Sequence, residues 1–223
     1  MILNSISTLS LNPIAKFGFE DLLSKNKSDF IEKLKISKNE IILMSDQVFS
    51  VLCHADLQKN HVTEWENIRT VWNVSGFILS ASLDLKTYLE ILCTLDDNIQ
   101  RISIIRIVFT QLYEIIQDLD CLTNRNFTDA MEKIGAGELK RELYDKRKKL
   151  KTLGDKYKDD LHNVRINVGA HRQKDYKVFH EFICNLEYTS CMRLIAIFGD
   201  AINDLADTIQ KVMVKSVNFI KNL

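Results

Sequence analysis

Val164-Arg165-Ile166-Asn167-Val168-Gly169-Ala170-His171-Arg172-Gln173-Lys174-Asp175 is the stretch whose polar residues are arranged for chemistry rather than for solubility. Arginine is a permanent cation whose planar fork of donors grips phosphate, and histidine exchanges protons near neutral pH. Together Arg165 and His171 form a minimal kit for handling a phosphodiester. Their spacing alone does not assemble it, because residues six apart point about 120° from each other around a regular helix. Gly169 alters that geometry, since glycine permits a helix end, a start or a kink that swings the imidazole towards the arginine. His162 lies three residues before Arg165, on the same helical face, and could assist the same site. Without such a bend the segment reads as a helix terminus decorated with His and Arg.

Other polar groups fit ordinary roles. Asp96-Asp97 precedes an apolar run opening at Ile99 and suits an N-terminal cap. Asp118 and Asp120 read as surface residues. Asp159-Asp160-Leu161-His162 has the composition of a divalent-metal site, but neighbours diverge around a helix and no shared ligand results. His54, His61 and His180 have no identifiable polar partner. The chain has no glycine-rich phosphate loop, no Gly-x-Ser-x-Gly elbow and no His-Glu-x-x-His helix, so nucleotide hydrolases, serine hydrolases and zincins lose their usual support. The basic run Lys146-Arg147-Lys148-Lys149-Leu150-Lys151 could track a phosphate backbone, or simply form a solvated helix face.

The elements that must position these groups are helical. The 223 residues include one proline, Pro13, and seven glycines, with 46% hydrophobic and 27% charged residues, and so few breakers imply long helices. One all-α domain spanning 1–223 is expected, with 1–14 as an irregular lead-in and the chemistry-bearing motif within 138–223. Thirty basic residues balance thirty acidic ones, so no global field draws the chain to a polyanion and any such site is local. The N-terminus lacks a secretory pattern, and the longest apolar stretch, Ile102 to Ile116, is broken by Arg106 and Glu114. A cytoplasmic protein without a membrane span is expected. Five cysteines without a Cys-x-x-Cys pair read as mostly buried thiols rather than as a disulfide framework or a metal site.

Along the chain, apolar residues recur at threes and fours. Phe17 to Leu34, with a division near Ser28 or Asp29, Lys38 to Leu57, Thr63 to Ser80 with both tryptophans on one face, and Leu85 to Leu95 after Asp84 are expected as separate helices. Ile99 to Ile116 is apolar nearly all round and reads as the central, most buried helix. A turn at Gly135-Ala136-Gly137 introduces a polar amphipathic helix from Glu138 to His162. That stretch carries nine basic and six acidic residues, with a break expected at Gly154. Leu194, Phe198, Ile202, Leu205, Ile209 and Val212 draw a seam along a C-terminal helix which, unbroken from Tyr188 to Ile220, would be roughly 50 Å long and suited to dimer packing.

Arg165-x5-His171, with Ala170 before the histidine and Arg172-Gln173-Lys174-Asp175 after it, resembles the Arg-x4-6-His signature of the HEPN superfamily, in particular its abortive-infection, toxin and phage-defence branches. The resemblance covers about a dozen residues. It implies a HEPN-like helical fold and a homodimeric endoribonuclease that cuts RNA without metal or cofactor, the motifs of two copies meeting at one cleft. It further implies that His171 moves the proton, that Arg165 binds phosphate, and that an antitoxin or companion defence protein accompanies the chain. Arg172, Lys146, Arg147, Lys148, Lys149 and Lys151 would then grip the RNA backbone, with no DNA specificity evident. In active family members the residue after the arginine is usually polar. Here it is Ile166, and the asparagine follows one place later, so either Asn167 has taken over that role or the site is impaired. The alternative reading is a non-catalytic HEPN-like module that binds RNA, nucleotide or protein.

Overall fold

Two helix starts in this protein follow local capping chemistry. Asp97 accepts a hydrogen bond from the Gln100 amide at 2.8 Å, and Asn124 accepts one from the Phe127 amide at 3.3 Å, each satisfying a first-turn donor. Asp97 therefore acts as the cap its sequence position predicts. Asp97→Ala is expected to lower stability by about 1 kcal/mol, read as a shifted urea midpoint at unchanged slope.

A computed structural model describes residues 27–58, 63–167, 177, 181 and 188–223. The expected lead-in over 1–14 lies outside them. The described helices are α1 (Lys27–Gln58), α2 (Glu64–Thr94), α3 (Asn98–Leu122), α4 (Arg125–Lys133), α5 (Lys140–Lys156), α6 (Lys158–Asn167) and α7 (Tyr188–Ile220), with a 3₁₀ turn at Gly137–Leu139. No strand occurs among the described residues, and the all-α bundle expected from the sequence is the architecture observed.

Two expected divisions are absent. The described part of the Phe17–Leu34 stripe continues into the Lys38–Leu57 helix as α1, and Glu64–Thr94 is one helix rather than two. The sequence places one helix end at Ser80 and a new start at Asp84, yet Ser82 between them is satisfied without leaving the helix. Ser82 donates to Asn203 Oδ1 at 3.0 Å, and upstream Ser75 donates back to the Val71 carbonyl at 2.8 Å. At Gly76 an added Cβ would lie 3.0 Å from Val48 Cγ1, so the missing side chain lets α1 and α2 approach closely.

The turn after α4 also follows from a glycine. Gly135 has φ 77°, the Ala136 amide bonds to the Met131 carbonyl at 2.8 Å, and the Gly135 amide bonds to Glu132 at 3.0 Å. This double closure needs a left-handed residue, which glycine supplies without steric cost. Gly154, by contrast, does not break its helix. It sits inside α5, where a Cβ would come within 2.9 Å of Ile116 Cγ2, so it serves the approach of α5 to α3. The chain bends three residues later, at Tyr157 between α5 and α6.

α3 is not the central helix. It buries Ile105, Val108, Phe109, Leu112, Ile115 and Leu119, but Ile99 and Ile107 are exposed, so its all-round apolar sequence is only one-sidedly used. The middle of the bundle is shared by α2, packed by α1, α3, α4 and α7, and by α7, whose predicted seam from Leu194 to Val212 is buried against α2, α5 and α3 of the same chain. Trp72 of α2 lies in this core and donates Nε1–H to Ser216 of α7 at 2.8 Å. Cysteine placement is mixed: Cys93 and Cys191 are buried, Cys53 and Cys121 are exposed, and Cys184 lies outside the described residues. No helix among the described residues is long and apolar enough to cross a membrane.

Candidate functional site

Leu161 and Val164, three residues apart, anchor α6 against α3 with almost no exposed surface. That anchoring turns the other stripe of α6, His162 and Arg165, along the flank of α3. Arg165 Nε donates to Glu114 Oε1 at 2.7 Å, and its guanidinium carbon lies 4.9 Å from the centre of the Tyr113 ring. The His162 ring sits 5.8 Å from the same tyrosine, and its buried Nδ1 makes no hydrogen bond. His162 and Arg165 are thus brought together, as their spacing predicts.

Magnitudes decide what this clamp can do. The Arg165 and Glu114 side chains are 30% and 49% exposed, so solvent screens their attraction and the pair is worth at most about 1 kcal/mol. Stacking over Tyr113 adds about 0.5–1 kcal/mol. The guanidinium is therefore held in a defined place, yet the bond uses only Nε of its five donors and a phosphate oxygen could displace the carboxylate at small cost. Arg165 also lies in the last turn of α6, where a cation suits the helix dipole.

His171, Arg172 and the Asn167 side chain lie outside the described residues, as do His61 and His180. His54 packs edge-on against Trp65, with ring centres 4.8 Å apart.

The basic face of α5 is largely matched by acids. Lys149 reaches Asp204 of α7 at 2.9 Å, with Lys146 at 3.6 Å from the same carboxylate. Lys151 reaches Asp120 of α3 at 2.9 Å, and this hydrogen bond raises its pKa. Arg147 lies 3.5 Å from Asp120 and donates to the Thr123 carbonyl at 2.6 Å. Lys148, also exposed, alone of the five forms no ion pair among the described residues. Asp120, which reads in sequence as a surface residue, is thus a junction between α3 and α5.

Sequence reasoning misses a second polar cluster entirely. Lys86 of α2 is 3% exposed and donates to Ser82 Oγ at 2.6 Å and to Asn203 Oδ1 of α7 at 2.5 Å. Burial pulls the lysine pKa down to about 8, against the opposing pull of Asp207, Asp200 and Glu40. A serine beside a partly neutral lysine has the composition of a nucleophile and its base. Ser82 is only 1% exposed, however, so this group works as a core network rather than as a site open to substrate. No cluster of three or more His, Cys, Asp or Glu residues suited to a metal occurs among the described residues. No family model matches the chain, and no curated protein and no solved structure matches it.

Proposed function

We propose that this chain is a cytoplasmic, metal-independent endoribonuclease of the HEPN toxin or phage-defence kind, acting through Arg165 and His171 as a homodimer. The observation that supports it most is the seating of Arg165: a guanidinium fixed over Tyr113 by an ion pair weak enough to yield to phosphate, six residues upstream of the histidine. The RNA 2′-hydroxyl is already tethered beside its phosphorus, so the protein needs to align it rather than import water. His171 takes the 2′-hydroxyl proton, the oxygen attacks phosphorus, and the 5′-oxygen leaves with a proton from the histidine of the second copy. A 2′,3′-cyclic phosphate and a free 5′-hydroxyl result. Arg165 stabilises the added negative charge, with Asn167 orienting the reacting groups and His162 assisting. Arg172 and the α5 run, above all Lys148, hold the backbone.

Purified protein is expected to cut RNA in EDTA and leave cyclic-phosphate ends. His171→Ala should abolish cutting while far-ultraviolet circular dichroism stays unchanged, and full activity in that variant removes the proposal. Arg165→Ala should lower cutting by a factor of about 100 or more, consistent with loss of a transition-state donor.

A second reading is a non-catalytic helical module for RNA, nucleotide or protein. The pairing of Lys146, Arg147, Lys149 and Lys151 with Asp204 and Asp120 favours it, because internally matched cations offer less grip to a phosphate backbone. Ile166 after Arg165 points the same way. Tight RNA association without turnover by wild-type protein would select this reading.

A further inference from the structure

Where α1, α2 and α7 meet, polar groups interrupt an otherwise apolar core. Ser37 is wholly buried on the α1 seam, between Leu34 and Ile41, and its hydroxyl makes no hydrogen bond among the described residues. Glu40 stands three residues on, along the same side of the helix, and its buried Oε2 has no hydrogen-bond partner among them either. Lys86 of α2 carries three ammonium donors and uses two of them, on Ser82 and on Asn203. Each of the three side chains is thus one hydrogen bond short inside the bundle, where an unmet polar group is costly and calls for a partner.

The helix register brings the three together. Lys38 reaches Glu90 at 2.6 Å and Val48 packs on Gly76, so α1 and α2 run antiparallel and Glu40 lies level with Lys86. The lysine feels the Glu40 charge, yet no ion pair joins it to a carboxylate among the described residues. Asp207 and Asp200 of α7 pull on it more strongly, but both also interact elsewhere, whereas Glu40 Oε2 is unmet. We infer that a single buried water molecule is bound between Ser37, Glu40 and Lys86. It accepts from the third Nζ–H and donates to Glu40 Oε2 and to Ser37 Oγ, making the three bonds usual for a buried water. One water spans polar atoms about 4.5–5.5 Å apart, a gap too wide for a direct ion pair. Charge rules out other small occupants, since a metal cation would be repelled by the ammonium and an anion by Glu40, Asp207 and Asp200.

The water ties α1 to the rest of the bundle. Among the described helices α1 packs mainly on α2, and it approaches α7 at Met44, whose sulfur lies 3.9 Å from Gln210 Nε2. Through the water and Lys86, Ser37 and Glu40 gain a hydrogen-bonded link to Asn203 of α7. This site is separate from the proposed chemistry, because Arg165 rides on α6 against α3.

A crystal structure of the full chain at a resolution that shows ordered waters tests this, together with oxygen-17 relaxation dispersion, which counts long-lived waters in solution. Wild-type density should show one water within about 3.2 Å of Ser37 Oγ, Glu40 Oε2 and Lys86 Nζ. Glu40→Leu combined with Lys86→Met removes both charged partners of the water, and this variant should lose one long-lived water with unchanged circular dichroism. A dry junction in the wild-type crystal overturns the inference, and so does a Glu40 carboxylate bonded directly to Lys86. An unchanged number of long-lived waters in the folded double variant overturns it as well. Neither measurement involves RNA, so the result stands apart from that of the proposed activity.

Discussion

Asn203→Leu is expected to destabilise the protein by about 1–3 kcal/mol, because it removes the acceptor that the buried Lys86 ammonium shares with Ser82 and leaves two buried donors short of a partner. Adding Lys86→Met to that variant should recover most of the loss, since the core then has no cation to satisfy. The coupling between the two substitutions, measured by urea unfolding, separates this explanation from simple misfit of leucine. If the double variant is as unstable as the sum of the two singles, the network explanation fails.

The same lysine gives stability a pH dependence of known sign. Its pKa is near 10.5 when unfolded and about 8 in the folded protein, so between these values the unfolded chain binds more protons. Stability from this group therefore rises with pH across that window, by up to about 3 kcal/mol, and is at its lowest below about pH 8. Lys86→Met should lack this slope, so the difference between wild type and variant should change steadily from pH 8 to 10.5 and remain flat below it.

Trp72→Ala should cost about 3–5 kcal/mol, as a wholly buried ring is lost from the contact between α2 and α7. The indole does more than fill space, because its N–H satisfies the equally buried Ser216 hydroxyl. Ser216→Ala strands that N–H and should cost about 1–3 kcal/mol. Trp72→Phe strands the hydroxyl instead. Combining Trp72→Phe with Ser216→Ala should cost less than the sum of the two, and strict additivity would show that the hydrogen bond contributes nothing.

Apolar periodicity carries much of this fold. The α7 seam, the Asp97 cap and the glycine turn at residue 135 are all readable, because each depends on residues close together in the chain. What periodicity cannot show is which side of an apolar helix faces inward. α3 looks central in sequence, yet Ile99 and Ile107 face solvent and α2 and α7 hold the middle. The Ser80–Asp84 stretch misleads for a related reason, since a serine that breaks a helix and one bonded to a distant asparagine look alike until Asn203 is placed. In the candidate site, the shared face of His162 and Arg165 follows from three-residue spacing. Their seat on Tyr113 and Glu114, some fifty residues earlier, is a tertiary fact with no local signal.

The order of the helices along the chain bears on how the protein is made. α7 follows every other described helix, yet it is the one around which α2, α3 and α5 are packed. During synthesis the inner side of α2, including Trp72, emerges well over a hundred residues before its cover exists. The face of α2 that meets α7 therefore stays uncovered until α7 arrives, which sets closure of the bundle late in its folding.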